Sequence, residues 1–382
     1  MADFNFKISP NIILGSYSSS RIGQFVHEWG TRFMLVIDPV LNESKVGEKI
    51  GKSLTNRNIE YFIFDEIPSA PDTEIITRAL KLAKESHVHG VLAVGGMKAA
   101  TVGRAVCALY NENHDIYDFV DGAQPTTASL PYICMPSTIR DPYLFIDRNP
   151  VVDARSRQVK LLKLQSGLCK LAVFDPNLLV SLTENQMASM SIETLCIACE
   201  CYISQKANFF SDTIVEKAVE MLADGLDGTS TISNTISRDQ LLMQGGCMAS
   251  LAAGCSSIGV ASLIGSAVHA RYKISRSLTT TILFPYMLEE AAKYKTDKLA
   301  RLARIMKVSS GSSNDNTAVV NFAENIRNRI ALANLPARLK DLSLSIDDFA
   351  LASEDAANLE FTNFMPRSMN ADDFFDIIKQ AY

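Results

Sequence analysis

The chain has 382 residues, enough for two domains that each bury a core of their own. Lys and Arg total 37 against 42 Asp and Glu, a net charge of -5, and no basic block or aromatic-interleaved stripe is present to track a phosphate backbone, so nucleic acid is not expected as a partner. No apolar run reaches the roughly 18 residues that a membrane span needs, and the opening MADFNFKISPNIILG lacks the charged-then-apolar pattern of a signal peptide, so a cytoplasmic protein without a membrane partner is expected.

From residue 12 to about residue 175, short apolar runs alternate with amphipathic stretches. Residues 32–39, 59–66, 89–96, 130–137 and 169–176 read as buried strands, each closed by a turn signal, and segments such as 73–86 carry helical spacing. That alternation predicts an α/β domain of the nucleotide-binding type with a mostly parallel sheet over residues 1–180. Beyond residue 182, segments 184–205, 211–224, 238–271, 278–294, 317–332 and 371–381 show apolar residues at helical spacing and are rich in Ala, Leu and Met, which predicts an all-α domain over residues 181–382 and a cleft between the two. Residues 309–316, SSGSSNDN, read as a loop, and Gly254 to Ser257 as a helix contact that needs small residues. The eight cysteines lie in apolar surroundings without a disulfide-like spacing and read as core fillers in a reducing compartment; the run at Cys196, Cys199 and Cys201 cannot point three ways at once from a helix toward one metal.

Two local features suggest a cofactor. Gly95 and Gly96, followed by Met97 and Lys98, join an apolar strand to a helix, where backbone without Cβ atoms can approach a phosphate and the helix offers free N-H groups; a plain strand-to-helix turn explains the same residues. Asp38 ends the first strong strand, where a carboxylate accepts hydrogen bonds from ribose hydroxyls and repels a 2'-phosphate, favouring NAD over NADP; an ordinary turn residue is the alternative.

The order of VIDP at 36–39, GGMK at 95–98, MPST at 135–138, VFDPNLL at 173–179, ETLCIACECYIS at 193–204, ILFPYMLE at 282–289, LPARL at 335–339 and PRSMNADDFFDIIKQAY at 366–382 resembles the iron-containing alcohol dehydrogenase superfamily, in a branch related to glycerol dehydrogenase. The resemblance implies an oxidoreductase using NAD, with a small alcohol or aldehyde bound in the interdomain cleft, a divalent metal that polarises the alcohol oxygen, and a homodimer. It places Asp38, Gly95, Gly96, Met97, Lys98, Ser137, Thr138, Arg140 and Leu178 at the cofactor. Several of these depart from the pattern. Met97 stands where the phosphate loop has a third glycine, Thr101 where it has Asp, Arg104 where it has Lys, and Arg140 replaces a glycine in the second loop, so that it either contacts an anion or fills the cofactor's space.

The metal positions depart furthest. Matched by motif they are Glu193, Ile197, Ser262, Ser266 and Arg276, which offer one carboxylate and no imidazole, so no divalent metal is expected. Arg276 could supply the missing cation by pairing with Glu193, or could point to solvent. His269 lies seven residues after Ser262 on the same helix face and is either a displaced acid or ligand, or a packed or partly exposed side chain. Glu200 either bonds nearby backbone or faces water. Chemistry, if retained, would rest on Glu193, Ser266, Arg276 and His269. Two readings follow: an alcohol dehydrogenase or aldehyde reductase acting without the usual metal, and a non-catalytic homologue that keeps the fold as a ligand-binding or oligomeric protein. An anion pocket formed by Arg140, Arg276 and Lys98 is a third possibility.

Overall fold

A computed structural model describes residues 9–228 and 236–382. The chain divides into two compact units, Met1–Ser181 and Leu182–Tyr382.

The first unit is built on six parallel strands, β1 (Asn11–Leu14), β2 (Arg32–Ile37), β3 (Glu60–Phe64), β4 (Gly90–Gly95), β5 (Tyr132–Pro136) and β8 (Cys169–Phe174), in the order β1-β8-β5-β4-β2-β3. A separate antiparallel pair, β6 (Arg148–Val152) and β7 (Val159–Lys163), completes the strands. Its helices are α1 (Ile22–Val26), α2 (Pro39–Glu43), α3 (Val46–Thr55), α4 (Thr73–Glu85), α5 (Met97–Leu109) and α6 (Ile116–Val120).

Strand neighbours present alternate residues to opposite faces. On one face Phe33, Leu35 and Ile37 of β2, with Leu92 and Val94 of β4, form a single core with Ile22, Val26, Ile50 and Leu54 of α1 and α3. On the other, α5 comes so close that a Cβ at Gly103 would stand 3.0 Å from the Ala93 side chain and 2.9 Å from the Tyr132 ring. Both faces are therefore covered, which is why these strands read as unbroken apolar runs. The chain passes from β2 to β3 on one side and returns through β4 on the other, so the carboxyl ends of β2 and β4 meet at a switch point, where ligands of such sheets bind.

The second unit is helical: α7 (Glu184–Ile203), α8 (Phe209–Asp227), α9 (Arg238–Cys255), α10 (Val260–Tyr272), α11 (Arg276–Ile305, bent at Lys295), α12 (Asp315–Leu332), α13 (Ile346–Ala357) and α14 (Ala371–Ala381). A capping box starts α7: Thr183 Oγ1 accepts from the Gln186 N-H and Gln186 Oε1 accepts from the Thr183 N-H. The helix expected over 238–271 is in fact two, turned by 99°. The break falls at 256–259, so Gly254 to Ser257 span the end of one helix. Ser256 donates its hydroxyl to the Cys201 carbonyl, and Gly259 has room for no side chain, since a Cβ would lie 2.8 Å from Glu200 Cγ. No single helix among the described residues is long and apolar enough to cross a membrane. Seven of the eight cysteines are buried and all eight are free; burial holds the thiols of Cys196, Cys199 and Cys201 well above their usual pKa, as core fillers require.

Candidate functional site

In the first unit the glycine turn and Asp38 come together at the switch point. Gly95, at φ +152°, closes β4, and a Cβ there would stand 3.0 Å from the Asp38 Cβ, so only glycine allows the two backbones this close. Gly96 is the N-cap of α5 in extended conformation, and no side chain caps the N-H groups of the first turn. They form an anion-ready end next to a second glycine. Met97 and Lys98 are the first two residues of the helix, both partly exposed. Lys98 Nζ lies 3.0 Å from Asp38 Oδ1. Asp38 sits at the N-cap of α2 without capping it through its side chain.

The second loop borders this turn. The Ser137 N-H donates to the Gly95 carbonyl over 3.0 Å, and Thr138 Cγ2 would touch a Cβ at Gly96 at 3.1 Å. Thr138 Oγ1 donates to the Arg140 carbonyl, and Arg140 is itself buried. Leu178 is also buried, its side chain spent on the core with Ile37, Val94 and Val173.

The two substituted loop positions, Thr101 and Arg104, belong to one buried network. Arg104 Nη1 donates to both oxygens of Asp141 at 3.2 and 3.0 Å, Nε donates to Asn149 Oδ1 at 3.1 Å, and Asn149 Nδ2 donates to the Thr101 carbonyl at 2.9 Å. Burial acts to lower the Arg104 pKa, but Asp141 together with Tyr132 and Cys134 raises it more, so the net shift is upward and the guanidinium is firmly charged. Asp141 also accepts from the Tyr143 N-H. This network clamps α5 to the loop after β5. Sequence reading noted Arg104 and missed Asp141 and Asn149; the signal was available, since an arginine placed inside an apolar helix needs a carboxylate within reach.

In the second unit α7, α10 and α11 meet. Arg276 opens α11, and its Nε donates to Glu193 Oε1 of α7 over 2.9 Å. The carboxylate side chain is 1% exposed and the arginine 11%, so Arg276 does not point to solvent. Arg276 Nη2 is buried with no hydrogen-bond partner. The arginine runs against Gly265 of α10, where a Cβ would stand 3.2 Å from Arg276 Cγ and 2.4 Å from Thr280 Oγ1. Beside the pair, Ser189 Oγ lies 3.3 Å from Ser277 Oγ, Ser277 Oγ lies 2.9 Å from Ser275 Oγ, and Thr281 Oγ1 donates to the Ser189 carbonyl. Ile197 and Ser262 are buried, and Ser266 Oγ donates back to the Ser262 carbonyl. His269 lies on the last turn of α10 with Nδ1 2.8 Å from the Ile274 carbonyl. Among the described residues no group of three or more His, Cys, Asp or Glu side chains is arranged to hold a metal ion.

Glu200, seven residues and about two turns beyond Glu193 along α7, bonds backbone rather than water. Its carboxylate accepts from the N-H groups of Gly259, Ala261 and Ser262 at 2.8, 2.8 and 3.2 Å, satisfying the start of α10. Burial pushes its pKa up to about 6 against the pull of those donors.

An uncapped helix end stands at the switch point of a parallel sheet, the place where ligands of such sheets bind, and the helical unit of the same chain holds a buried polar centre. Residues 9–176 match the family described as iron-containing alcohol dehydrogenase, and residues 187–382 match its C-terminal domain, described as Fe-containing alcohol dehydrogenase family, C-terminal. The chain belongs to the iron-containing alcohol dehydrogenase family.

Among curated relatives, alcohol dehydrogenase 4 of Saccharomyces cerevisiae is 22% identical over 356 residues, covering 91% of this chain and 90% of that protein. The 1,3-propanediol dehydrogenase of Citrobacter freundii is 22% identical over 361 residues, covering 92% of each. Among solved structures, a 1,3-propanediol oxidoreductase superposes with a TM-score of 0.91 at 19% identity over 100% of both chains. An alcohol dehydrogenase from Oenococcus oeni does so with 0.89 at 17% over 100% of both. The mostly parallel sheet and the helical second half are thus those of the family.

Proposed function

We propose that the protein is a nicotinamide-dinucleotide-linked oxidoreductase of a small alcohol or aldehyde, in which the Arg276 guanidinium takes the place of a divalent metal. The carrying observation is the position of Arg276, whose Nε lies 2.9 Å from Glu193 Oε1 while Nη2 is buried without a partner. The residues at the matched ligand positions do not fit a metal. Ile197 has no lone pair, Ser262 and Ser266 are neutral hydroxyls, and the one carboxylate, Glu193, already faces a cation.

A substrate oxygen that reached Nη2, whose two N-H groups have no partner, would have developing negative charge stabilised by the guanidinium, which is what electrostatic catalysis requires. It does not give up a proton, because its pKa is too high. The proton must come from another group, and Ser266 and His269 stand on the same helix that carries Gly265 against the arginine. Glu193 holds the guanidinium in place.

The first unit fits the dinucleotide. Gly95, Gly96 and the first-turn N-H groups of α5 would take the diphosphate, Asp38 and Lys98 the adenosine end, and Ser137 and Thr138 the nicotinamide side, while Met97 and Arg140 narrow the space. When bound, the dinucleotide supplies or accepts the hydride. The assembly implied by the family resemblance is a homodimer, which light scattering measures.

Titration of NADH fluorescence, followed by aldehyde reduction with chelator and with added iron or zinc, tests the reading. Binding with turnover indifferent to both additions, and lost in Arg276→Met, is expected. Stoichiometric metal in the purified protein, or turnover that depends on it, would sink the guanidinium reading. Failure to bind any dinucleotide would leave the fold as a scaffold for another ligand.

A further inference from the structure

Lys98 alters what Asp38 can do. A lone carboxylate at the end of the second strand accepts the ribose hydroxyls and repels a 2'-phosphate, and on sequence alone Asp38 favours NAD for that reason. In the folded chain the carboxylate is not alone. The Lys98 ammonium stands 3.0 Å from Asp38 Oδ1, with the two side chains 27% and 15% exposed. The pair stands beside the glycine turn, where a Cβ at Gly95 would lie 3.0 Å from the Asp38 Cβ. Asp38 spends no side-chain bond on the start of α2, so Lys98 is its partner at this site. Lys98 also sits on the first turn of α5, whose uncapped N-H groups and dipole add positive potential at the same place. The local balance is that of an ion pair beside a positive helix end, with two ammonium N-H bonds still to give.

We infer that Lys98, by neutralising Asp38, sets the cofactor specificity of this chain, so that the adenosine end of the site accepts a 2'-phosphate and NADPH binds alongside NADH. The inference rests on the proposed dinucleotide reading. A 2'-phosphate meets the ammonium, and a ribose diol keeps the second oxygen of Asp38; one pair serves both cofactors. Lys98 is here a specificity residue and takes no part in hydride transfer.

Fluorescence titration of NADH and NADPH against the full-length protein tests it without an activity assay. The two dissociation constants are expected within about tenfold of each other. Lys98→Met is expected to weaken NADPH by about tenfold or more while NADH changes by less than about threefold. Asp38→Asn, which frees the ammonium, is expected to tighten NADPH and weaken NADH, and it serves as the second probe should Lys98→Met unfold. NADH binding with NADPH excluded would overturn this inference and leave the proposed function standing. Equal weakening of both cofactors in Lys98→Met would place the ammonium on the shared diphosphate and also overturn it. Binding of neither cofactor to the unmodified protein would overturn the proposed function, and this inference with it.

Discussion

Breaking the Glu193–Arg276 pair measures how much of this centre is ionic. Nε and Oε1 are 2.9 Å apart, and the side chains are 11% and 1% exposed, so solvent screens them little. With charge centres about 4 Å apart and an effective dielectric near 20, the attraction is on the order of 4 kcal/mol. Desolvation offsets much of that, so the pair adds little net stability over an apolar replacement, whereas removing one member leaves a charge stranded and costs about 3 kcal/mol or more. Arg276→Met and Glu193→Leu are each expected to lose that much, and the double variant no more than either alone, giving a coupling of about 3 kcal/mol in a double-mutant cycle. Trp29 lies in the first unit and is the chain's single tryptophan, so urea unfolding of the four proteins should be followed by far-UV circular dichroism, which reads the helical second unit. Raising the salt to about 0.5 M should change the coupling little. A coupling below about 1 kcal/mol, the worth of an exposed pair, would refute the claim that these charges meet out of water.

Gly265→Ala would push a methyl to within 2.4 Å of Thr280 Oγ1 and 3.2 Å of Arg276 Cγ, and a loss of about 1–3 kcal/mol together with reduced aldehyde turnover is expected from melting and steady-state assays. Glu200→Ala leaves three buried N-H groups without their acceptor, for a cost of about 3 kcal/mol or more in chemical denaturation. Because the folded Glu200 pKa is raised from 4.5 to about 6, its contribution is full below pH 4.5 and is lost as pH rises through 6. The stability gap between the native protein and Glu200→Ala should therefore shrink by about 2 kcal/mol from pH 4.5 to pH 7. Placing imidazoles at the matched positions, in Ile197→His with Ser262→His and Arg276→His, should let zinc raise the melting point, by the equivalent of about 2.7 kcal/mol at a hundredfold excess over the dissociation constant. The unmodified protein should show no such rise.

Strands β2, β4, β5 and β8 of the main sheet were legible because they are buried almost throughout and read as apolar runs, and edge strand β3 was legible from its aromatic and β-branched residues although only Phe64 is buried. Edge strand β1 was not, since only its two middle residues are partly buried. The pair β6 and β7 was missed because RNPVV contains a proline and VKLLK carries two lysines, and neither resembles a core strand. The single helix expected over 238–271 failed at Gly259, since periodicity does not reveal a break whose cause, Glu200, lies some sixty residues earlier. Helix α13 has the right spacing in its Phe349, Ala352 and Ala356, but the acidic residues beside them hid it. At the site, Glu193 with Arg276 could be posed as a question from the sequence, because each replaced a residue in a recognised pattern. The Lys98–Asp38 pair could not, because nothing in the sequence shows that residues so far apart in the chain come within about 3 Å of each other, and of the Arg104–Asp141 pair only the arginine gave a signal, a cation inside an apolar helix whose partner the sequence did not name.

Helix α7 carries Glu193 and Glu200 seven residues apart, about 10.5 Å along its axis. One carboxylate is answered by a side chain and the other by peptide groups, so the rod is pinned at two heights at once. Inserting or deleting a single residue anywhere between them would swing one end by about 100° relative to the other. The spacing of this stretch is thus mechanically locked: length there cannot drift by one without surrendering either the anchor of the arginine or the first turn of α10.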